Sequence, residues 1–411
     1  MTNFLSLPFM TKAAAVLIGS TLSMNAFAGA YVFSELGMMS ISTAGAGAQA
    51  IAEGAETAYA NPAGMTRLER PMLAFNIEGT ISDAMYYDNG SDGVFSRGSE
   101  STQAGASLPA GALYYVHPYN DKLAFGIAIA SAGGSVIDYG SDFKGSLLLQ
   151  DVSMITVQVS PSVAYKVTNE LSVGVGLVAE YGKLEQTFGG SNLRGIGQMV
   201  GKGDSLEFGY TLSALYEINN DNRVGFTYRS ENNHDLSGDI STKNFSPDAS
   251  FNIVMPSIAI MSGYHQVAPK WTMLWSAGWT DFSKVQTTDI TLTNTTASID
   301  REWEDTWLFS LGAHYQLTPD WRLEGGVYYE TSPQDDPTKQ YPDVPTGEIW
   351  KYALGATYEL NAEWRMQMYY EYLDAGTPSI EYTTDVGPGG TLRGDYDIGI
   401  HYFGVLFNKT F

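Results

Sequence analysis

Hydrophobic and polar residues alternate over long stretches of the chain. Between residues 350 and 360, the even positions from Trp350 to Leu360 are apolar or aromatic, and small or polar residues such as Thr357 lie between them. A period of two is typical of a β-strand with one apolar face. The apolar faces end in Tyr or Trp, as strands do where they leave a membrane. The pattern therefore predicts membrane-spanning strands.

A short polar turn recurs between these strands. Its centres lie near residues 120, 169, 220, 269, 319 and 362, a period of about 50 residues. A tyrosine precedes each turn, as Tyr315 and Tyr358 do, and a Trp or aliphatic residue follows it. Six short turns join seven long hairpins, which makes fourteen strands. The predicted fold is an all-β transmembrane protein, a 14-stranded antiparallel outer-membrane β-barrel over residues 71–411.

Two other β architectures are weaker explanations of this repeat. A propeller also has a period near 50, but each of its blades holds four short strands. A soluble sandwich alternates too, but its strands are shorter and lack the recurring aromatic rim. The segments at 88–93, 232–248, 287–296, 332–346 and 387–390 are polar and turn-rich. We expect them to be loops that form no core.

The N-terminus has the organisation of a secretory signal peptide over residues 1–28. Lys12 supplies a positive charge, residues 13–24 are mostly apolar, and Ala26-Phe27-Ala28 is an A-x-A cleavage site. The apolar run is shorter than the 18 or more residues that a membrane helix needs. We therefore expect a mature chain that begins at Gly29.

Residues 29–70 do not alternate like the strands, and we predict that they form a plug. Residues 45–55 are mostly Gly and Ala, which allow close backbone packing. A turn motif follows: Asn61, Pro62, Ala63, Gly64 and Met65. A fourteen-stranded barrel is too wide for its own side chains to fill, so a plug inside the lumen would close it.

Charge and residue content exclude several classes of function. The net charge of -23 argues against nucleic acid as a partner. The chain has no cysteine, and its five histidines are not spaced as metal ligands, so we expect neither a metal nor another cofactor. No G-x-S-x-G motif is present, and we expect no enzyme. A general porin, a structural barrel and, less readily, an outer-membrane lipase that uses His401 are the alternative functions.

The N-terminal motifs resemble those of a known family, the FadL-type transporters of long-chain fatty acids and aromatic hydrocarbons. The resemblance is carried by Ser34-Glu35-Leu36-Gly37, Gly45-Ala46-Gly47 and Thr57-Ala58-Tyr59-Ala60-Asn61-Pro62-Ala63-Gly64-Met65-Thr66. It implies a monomeric channel of the bacterial outer membrane, in contact with its lipid and lipopolysaccharide. Hydrophobic ligands would be captured outside, held in a lumen pocket and released sideways after the plug rearranges. A kinked third strand would provide the gap.

The third strand, near residues 122–134, has features that could weaken its pairing. It carries Gly126, Gly133 and Gly134, and its neighbours carry Pro109 and Pro161. Glycine marks bulges in strands, and proline donates no ladder hydrogen bond. We predict the lateral gate here, against the alternative that these residues are ordinary bends of a curved wall.

The predicted lumen face also carries cations. Arg322, Lys351 and Arg365 could hold a fatty-acid carboxylate, and the alternative is an ion-pair network with lumen glutamates. The last strand ends in Phe411, a terminal aromatic residue that we predict to be the signal for the barrel assembly machinery.

Overall fold

A computed structural model describes residues 40–131, 133–189, 197–292, 295–385 and 387–411. The strands of these residues all belong to one sheet. In chain order they are β1 (Met72–Asp88), β2 (Ser101–Gln103), β3 (Ser107–Pro118), β4 (Leu123–Ala130), β5 (Gly134–Asp138), β6 (Asp151–Lys166), β7 (Leu171–Phe188), β8 (Met199–Asn219), β9 (Asn222–Arg229), β10 (Asn232–Ser241), β11 (Asp248–Met255), β12 (Ile258–Ala268), β13 (Trp271–Thr280), β14 (Thr287–Leu292), β15 (Thr295–Asp300), β16 (Thr306–Gln316), β17 (Trp321–Glu330), β18 (Ile349–Glu359), β19 (Trp364–Asp374), β20 (Ser379–Thr384) and β21 (Gly390–Thr410).

Fourteen of these strands close into a ring, within the part of the chain that the structure describes. Around the ring their order is β1, β3, β4, β6, β7, β8, β9, β12, β13, β16, β17, β18, β19 and β21. Every neighbouring pair is antiparallel, and β21 closes on β1 from Met72↔Thr410 to Asp88↔Gly394. The predicted 14-stranded barrel is confirmed.

The six predicted turns all lie on one rim of this ring, which we call the turn rim. They join β3 to β4, β6 to β7, β8 to β9, β12 to β13, β16 to β17 and β18 to β19. Asn120 and Asn361 show how a turn is closed, because each Oδ1 accepts the backbone N–H groups two and three residues later. The opposite rim, the loop rim, carries the long connections.

Apolar side chains cover the outer face of the barrel. On β7, the outward residues Val173, Val175 and Leu177 are exposed, whereas Ser172 points inward and is buried. Aromatic pairs border this face near the turn rim, with ring centroids 4.7 Å apart for Trp271 and Tyr315 and 4.5 Å apart for Trp321 and Tyr358. This apolar outer face is the surface of the barrel that faces lipid. Separately, no helix among the described residues is long and apolar enough to cross a membrane.

The polar segments at the loop rim differ from the prediction in two ways. The segments at 232–248 and 287–296 form mainly strands, in β10, β14 and β15, which extend the hairpins beyond the ring. Leu236, Ile240 and Val344 of these segments are buried in a large apolar cluster, which also includes Phe95 and Trp303 from neighbouring loops. The expectation that these segments form no core was wrong. Isolated aromatic and aliphatic residues in polar surroundings become a core when several loops converge on one rim.

Residues 40–68 lie inside the ring. They form an α-helix, Thr57–Ala60, and two 3-10 helices, Ile41–Thr43 and Pro62–Arg67. The first 3-10 helix packs against β16 to β19, and the second packs against β4, β6, β7 and β8 on the other side of the lumen. The predicted signal peptide, residues 29–39 of the predicted plug and the Ser34-Glu35-Leu36-Gly37 motif lie outside the described residues, so the boundaries 1–28 and 29–70 stay predictions.

The plug, the lumen cavity and the side opening

The motif that begins at Asn61 builds the base of the plug. Asn61 is fully buried, and its Oδ1 accepts the backbone N–H of Ala63 (3.1 Å), which caps the 3-10 helix that begins with Pro62. Its Nδ2 donates to Gln49 O (2.6 Å) inside the plug and to Ala214 O (3.1 Å) on β8. One side chain therefore folds the plug and fastens it to the wall.

The other motif residues fit closely into the wall. A Cβ on Gly64 would lie 2.7 Å from Ala52 Cβ, so only glycine allows the plug backbone to cross itself here. Met65 is fully buried, and a Cβ on Gly126 of β4 would lie 2.3 Å from its Sδ. The motif residue Met65 and the predicted gate residue Gly126 are thus in contact with each other.

Lumen-facing glycines of the wall receive the plug. A Cβ on Gly225 of β9 would lie 1.8 Å from Gln49 O, and one on Gly326 of β17 would lie 2.1 Å from Thr43 O. A Cβ on Gly174 of β7 would lie 2.4 Å from the backbone nitrogen of Ala63. These positions require glycine because the plug backbone occupies the place of a side chain.

Ion pairs fasten the plug to the wall on its side nearest the turn rim. Glu53 of the plug forms ion pairs with Arg322 on β17 (2.7 Å) and, at longer range, with Arg223 on β9 (3.5 Å) and Arg365 on β19 (3.9 Å). Arg365 also donates to the backbone oxygen of Glu53 (2.8 Å). Burial by itself raises the pKa of Glu53, but the arginines, with Arg322 first, outweigh it and hold the pKa well below its usual range.

The three cations predicted as carboxylate contacts have other neighbours. Arg322 and Arg365 are engaged by Glu53, and Arg322 also pairs with Glu324 (2.8 Å). The Nζ of Lys351 is buried 4.3 Å above the ring of Tyr328. The structure therefore brings Arg322 and Arg365 together under the plug and leaves Lys351 apart on the wall. For the two arginines it favours the ion-pair network that the sequence left as the alternative.

A cavity lies in the lumen on the loop-rim side of the plug. One part of its lining is apolar and includes Met255, Ile258, Ile260, Leu308 and Ile349. The other part is polar and includes Gln158, Glu180, Thr227, Arg229 and Tyr59. Such a lining suits an amphiphile that has an apolar body and a polar end.

Two residues of this cavity were missed by sequence reasoning. Arg229, at the end of β9, donates from Nη1 to the hydroxyl of Tyr59 (2.8 Å) and from Nη2 to the backbone oxygen of Tyr59 (3.3 Å). Its guanidinium lies 4.2 Å above the ring of the same tyrosine. Tyr59 precedes the plug motif and Arg229 ends an alternating run, but nothing in either pattern predicts their contact.

A buried hydrogen-bonded chain borders the cavity. Glu180 accepts from Gln158 Nε2 and lies 2.7 Å from His234 Nε2, and the Nδ1 of His234 lies 2.7 Å from Ser205 Oγ. These are the residue types of a hydrolase triad. His401, which the lipase alternative named, instead lies on the outer wall, 2.8 Å from the hydroxyl of Tyr370. Among the described residues, no group of His, Asp and Glu is arranged to hold a metal ion.

The wall is interrupted beside the third strand of the ring. The pairing of β3 with β4 runs from Pro118↔Ala124 to Leu113↔Ile129 and stops there, although β3 continues to pair with β1 as far as Ser107. The chain resumes as β5, whose ladder partner in the described part of the chain is β6 alone. The two edges meet again where Asp138 N donates to Ala104 O (3.3 Å). Between these points lies a side opening in the barrel wall.

The predicted gate residues divide into two groups. Gly133, Gly134 and Pro109 line the side opening together with apolar residues that include Leu108 and Ile129. Gly126 lies below it, where β4 is paired on both sides, and it contacts the plug instead. Pro161 faces outward on β6, and the pairs that it interrupts are those with β7, on the side away from the opening.

The plugged barrel resembles known proteins. A family model described as "Outer membrane protein transport protein (OMPP1/FadL/TodX)" matches residues 19–411. The chain belongs to this family. A long-chain fatty acid transport protein from Escherichia coli O6:H1 is 26% identical over 372 residues, which are 79% of this chain and 82% of the relative. Outer membrane protein P1 from Haemophilus influenzae is 24% identical over 355 residues, 74% of this chain and 77% of the relative.

Solved structures agree on the fold. A Pseudomonas aeruginosa FadL homologue superimposes with a TM-score of 0.85 at 19% identity, covering 93% of this chain and 99% of that one. The Ralstonia pickettii toluene transporter TbuX gives a TM-score of 0.68 at 17% identity, covering 92% and 100%. The family consists of bacterial outer-membrane channels for hydrophobic compounds. Membership of this family confirms the predicted location in the bacterial outer membrane. It also confirms the expectation that the protein is a transporter and not an enzyme.

Proposed function

We propose that this protein takes up amphiphilic or hydrophobic compounds, such as long-chain fatty acids or related hydrocarbons, without an energy source. The ligand is captured on the extracellular side, held in the lumen cavity and released through the side opening after the plug rearranges. The observation that carries the proposal is the side opening next to a plugged lumen. A plugged cylinder with a gap in its wall suits a ligand that leaves into lipid.

The energetics favour this route over a water-filled pore. Each CH2 group that leaves water gains about 0.8 kcal/mol, so an apolar cavity can concentrate an acyl chain. Passage through the turn rim would return the chain to water and lose that gain. The side opening avoids this step because apolar residues, such as Leu108, Ile129 and Met154, line the way to the membrane.

A general porin is the second candidate, and the plug argues against it. Buried residues of the plug, among them Asn61 and Met65, fill the lumen between opposite walls. A porin would require an open path for ions at the same place. The relatives named for fatty acids and for toluene support both ligand classes as candidates.

Uptake by cells tests the proposal. The full chain is expressed in a Gram-negative host that lacks its own channel of this kind, and entry of radiolabelled oleate and toluene is compared with the empty host. We expect faster entry of at least one ligand and only a small ionic current in planar bilayers. Entry at the empty-host rate for both ligands, or a large steady current, would overturn the proposal.

Contacts with other cellular components are part of the same proposal. We propose that Phe411 is read by the barrel assembly machinery and that lipopolysaccharide covers the outer face near the loop rim. The backbone N–H of Phe411 donates to Pro71 O (3.0 Å), which holds the chain end at the turn rim, and the side chain of Phe411 is exposed.

A further inference from the structure

Arg229 differs from the other buried arginines of the lumen in its partners. Arg223 and Arg322 both pair with Glu53. Within the part of the chain that the structure describes, Arg229 pairs with no carboxylate, and its Nε is buried without a hydrogen-bond acceptor. A guanidinium cannot lose its charge at physiological pH. A guanidinium that no carboxylate contacts can form charge-assisted hydrogen bonds with an anionic ligand.

Two carboxylates also line the cavity, Glu180 and Glu330, and among the described residues neither pairs with Arg229. Glu330 accepts from Thr306 Oγ1 (2.7 Å) and from the hydroxyl of Tyr328.

Glu180 is held by other partners. One of its oxygens lies 2.7 Å from His234 Nε2, and the other accepts from Gln158 Nε2. The geometry of these contacts turns both carboxylate oxygens toward other partners. Among the described residues, only the neutral phenol and the backbone oxygen of Tyr59 accept from Arg229.

Tyr59 stands between the cavity and the side opening. It lines the lumen cavity, and its hydroxyl donates to Ser131 O (3.5 Å), on the segment where the wall is interrupted. Ser131 in turn lines the side opening. The side chain of Tyr59 is almost fully buried, and its ring packs edge-on against Tyr114, with centroids 6.5 Å apart. Tyr59 therefore connects the lining of the cavity to the wall segment of the side opening.

We infer that Arg229 and Tyr59 form a latch which an acidic head group opens. A ligand carboxylate in the cavity binds the guanidinium of Arg229 in place of Tyr59. Tyr59 then loses two hydrogen bonds and its cation–π contact. The exchange is favourable because a hydrogen bond between two charged groups is roughly twice as strong as one to a neutral acceptor. The freed tyrosine swings away from Ser131, and the acyl chain follows it to the membrane.

This inference rests on the proposed function and adds the ligand class. It separates amphiphiles with an anionic head from neutral hydrocarbons of the same size. A neutral ligand can fill the apolar part of the cavity but offers Arg229 no charge, so the latch stays shut.

The test compares oleate with oleyl alcohol, which has the same chain and a neutral head. Uptake of each is measured in cells that express the full-length wild type, Arg229→Gln or Tyr59→Phe. We expect the wild type to prefer oleate by at least about tenfold, the factor that corresponds to a charge-assisted hydrogen bond. Arg229→Gln should lose this preference. Tyr59→Phe should keep oleate uptake and raise uptake of the alcohol.

Tyr264→Phe is the matched control. The guanidinium of Arg223 lies 3.5 Å from the ring centroid of Tyr264. Tyr264 is not among the residues that line the lumen cavity or the side opening. It should keep the wild-type preference. Equal uptake of both ligands by the wild type would refute the latch and leave the proposed function intact. An unchanged preference in Arg229→Gln, or the same change in Tyr264→Phe, would also refute it. Uptake of neither ligand above the empty host would overturn both.

Discussion

Gly174 of β7 lies directly against Ala63 of the plug, so closely that an added Cβ would stand 2.4 Å from the Ala63 nitrogen. Two residues further along the same face, a Cβ on Gly176 would have no neighbour nearer than 3.6 Å. The wall is therefore shaped to the plug at individual positions, and the pair of glycines allows that fit to be tested.

We expect Gly174→Ala to displace the plug at a cost of about 1–3 kcal/mol, the usual penalty for overpacking. The barrel itself should form, since its strands are paired independently of this contact. The measurement is ion current in planar bilayers, which should rise above that of the wild type. Gly176→Ala is the control and should leave the current unchanged. Equal currents in both variants would contradict a role for close plug packing.

Removing the charge of Glu53 should loosen the other side of the plug. Glu53→Gln leaves Arg322 and Arg365 without their plug carboxylate, which we expect to cost about 1–3 kcal/mol of docking free energy. Hydrogen exchange of residues 40–56 should become faster. Glu363→Gln, which removes an exposed pair with Lys409 at the turn rim, is the control. A plug that is equally protected in Glu53→Gln would show that the ion pairs do not hold it.

The docked plug should tolerate mild acid. The pKa of Glu53 is lower when the plug is docked than the roughly 4.3 of a free glutamate. Its ionised form therefore stabilises docking fully above the free value, and this contribution is lost only as the pH falls through the lower, docked pKa. We expect the ionic current through the protein in planar bilayers to be equally small at pH 8 and pH 5. A current that rises between these values would mean that another group controls docking.

Filling the side opening should block release without emptying the cavity. Ala110 of β3 lines the opening, and we expect Ala110→Trp to slow cellular uptake of oleate by about tenfold or more, while oleate still binds the purified protein. Leu177→Trp places the same ring on the lipid-facing side of β7 and should have little effect. Normal uptake by Ala110→Trp would exclude this exit.

Deleting Phe411 should reduce assembly more than stability. The residue makes two hydrogen bonds through its backbone, with Pro71 O and Arg70 Nε, each worth about 1 kcal/mol, whereas a recognition signal would control insertion of the whole chain. We expect several-fold less folded barrel in the outer membrane, measured by its heat-dependent gel mobility. Phe411→Tyr keeps an aromatic end and should restore the yield. A full yield from the deletion would remove Phe411 from the assembly step.

The sequence by itself determined the number of strands, the places of the turns and the lipid-facing side. These are local properties: alternation sets which face of a strand is apolar, and residues such as Asn120 and Asn361 close turns with their own neighbours. The motif at Asn61 was also visible, because its cap and its tight helix involve residues two or three positions apart.

Only the tertiary structure decided which groups meet across the lumen. Arg322 and Arg365 pair with Glu53, and Arg229 contacts Tyr59, although each of these pairs is separated by 170 or more positions in the sequence. The loops acquire a core because Phe95, Trp303 and Val344 converge on one rim. The ladder between β3 and β4 ends at Leu113 and Ile129, and the next strand, β5, pairs with β6 instead of β3. Such contacts depend on register and ring closure, and these relate residues that no local pattern connects.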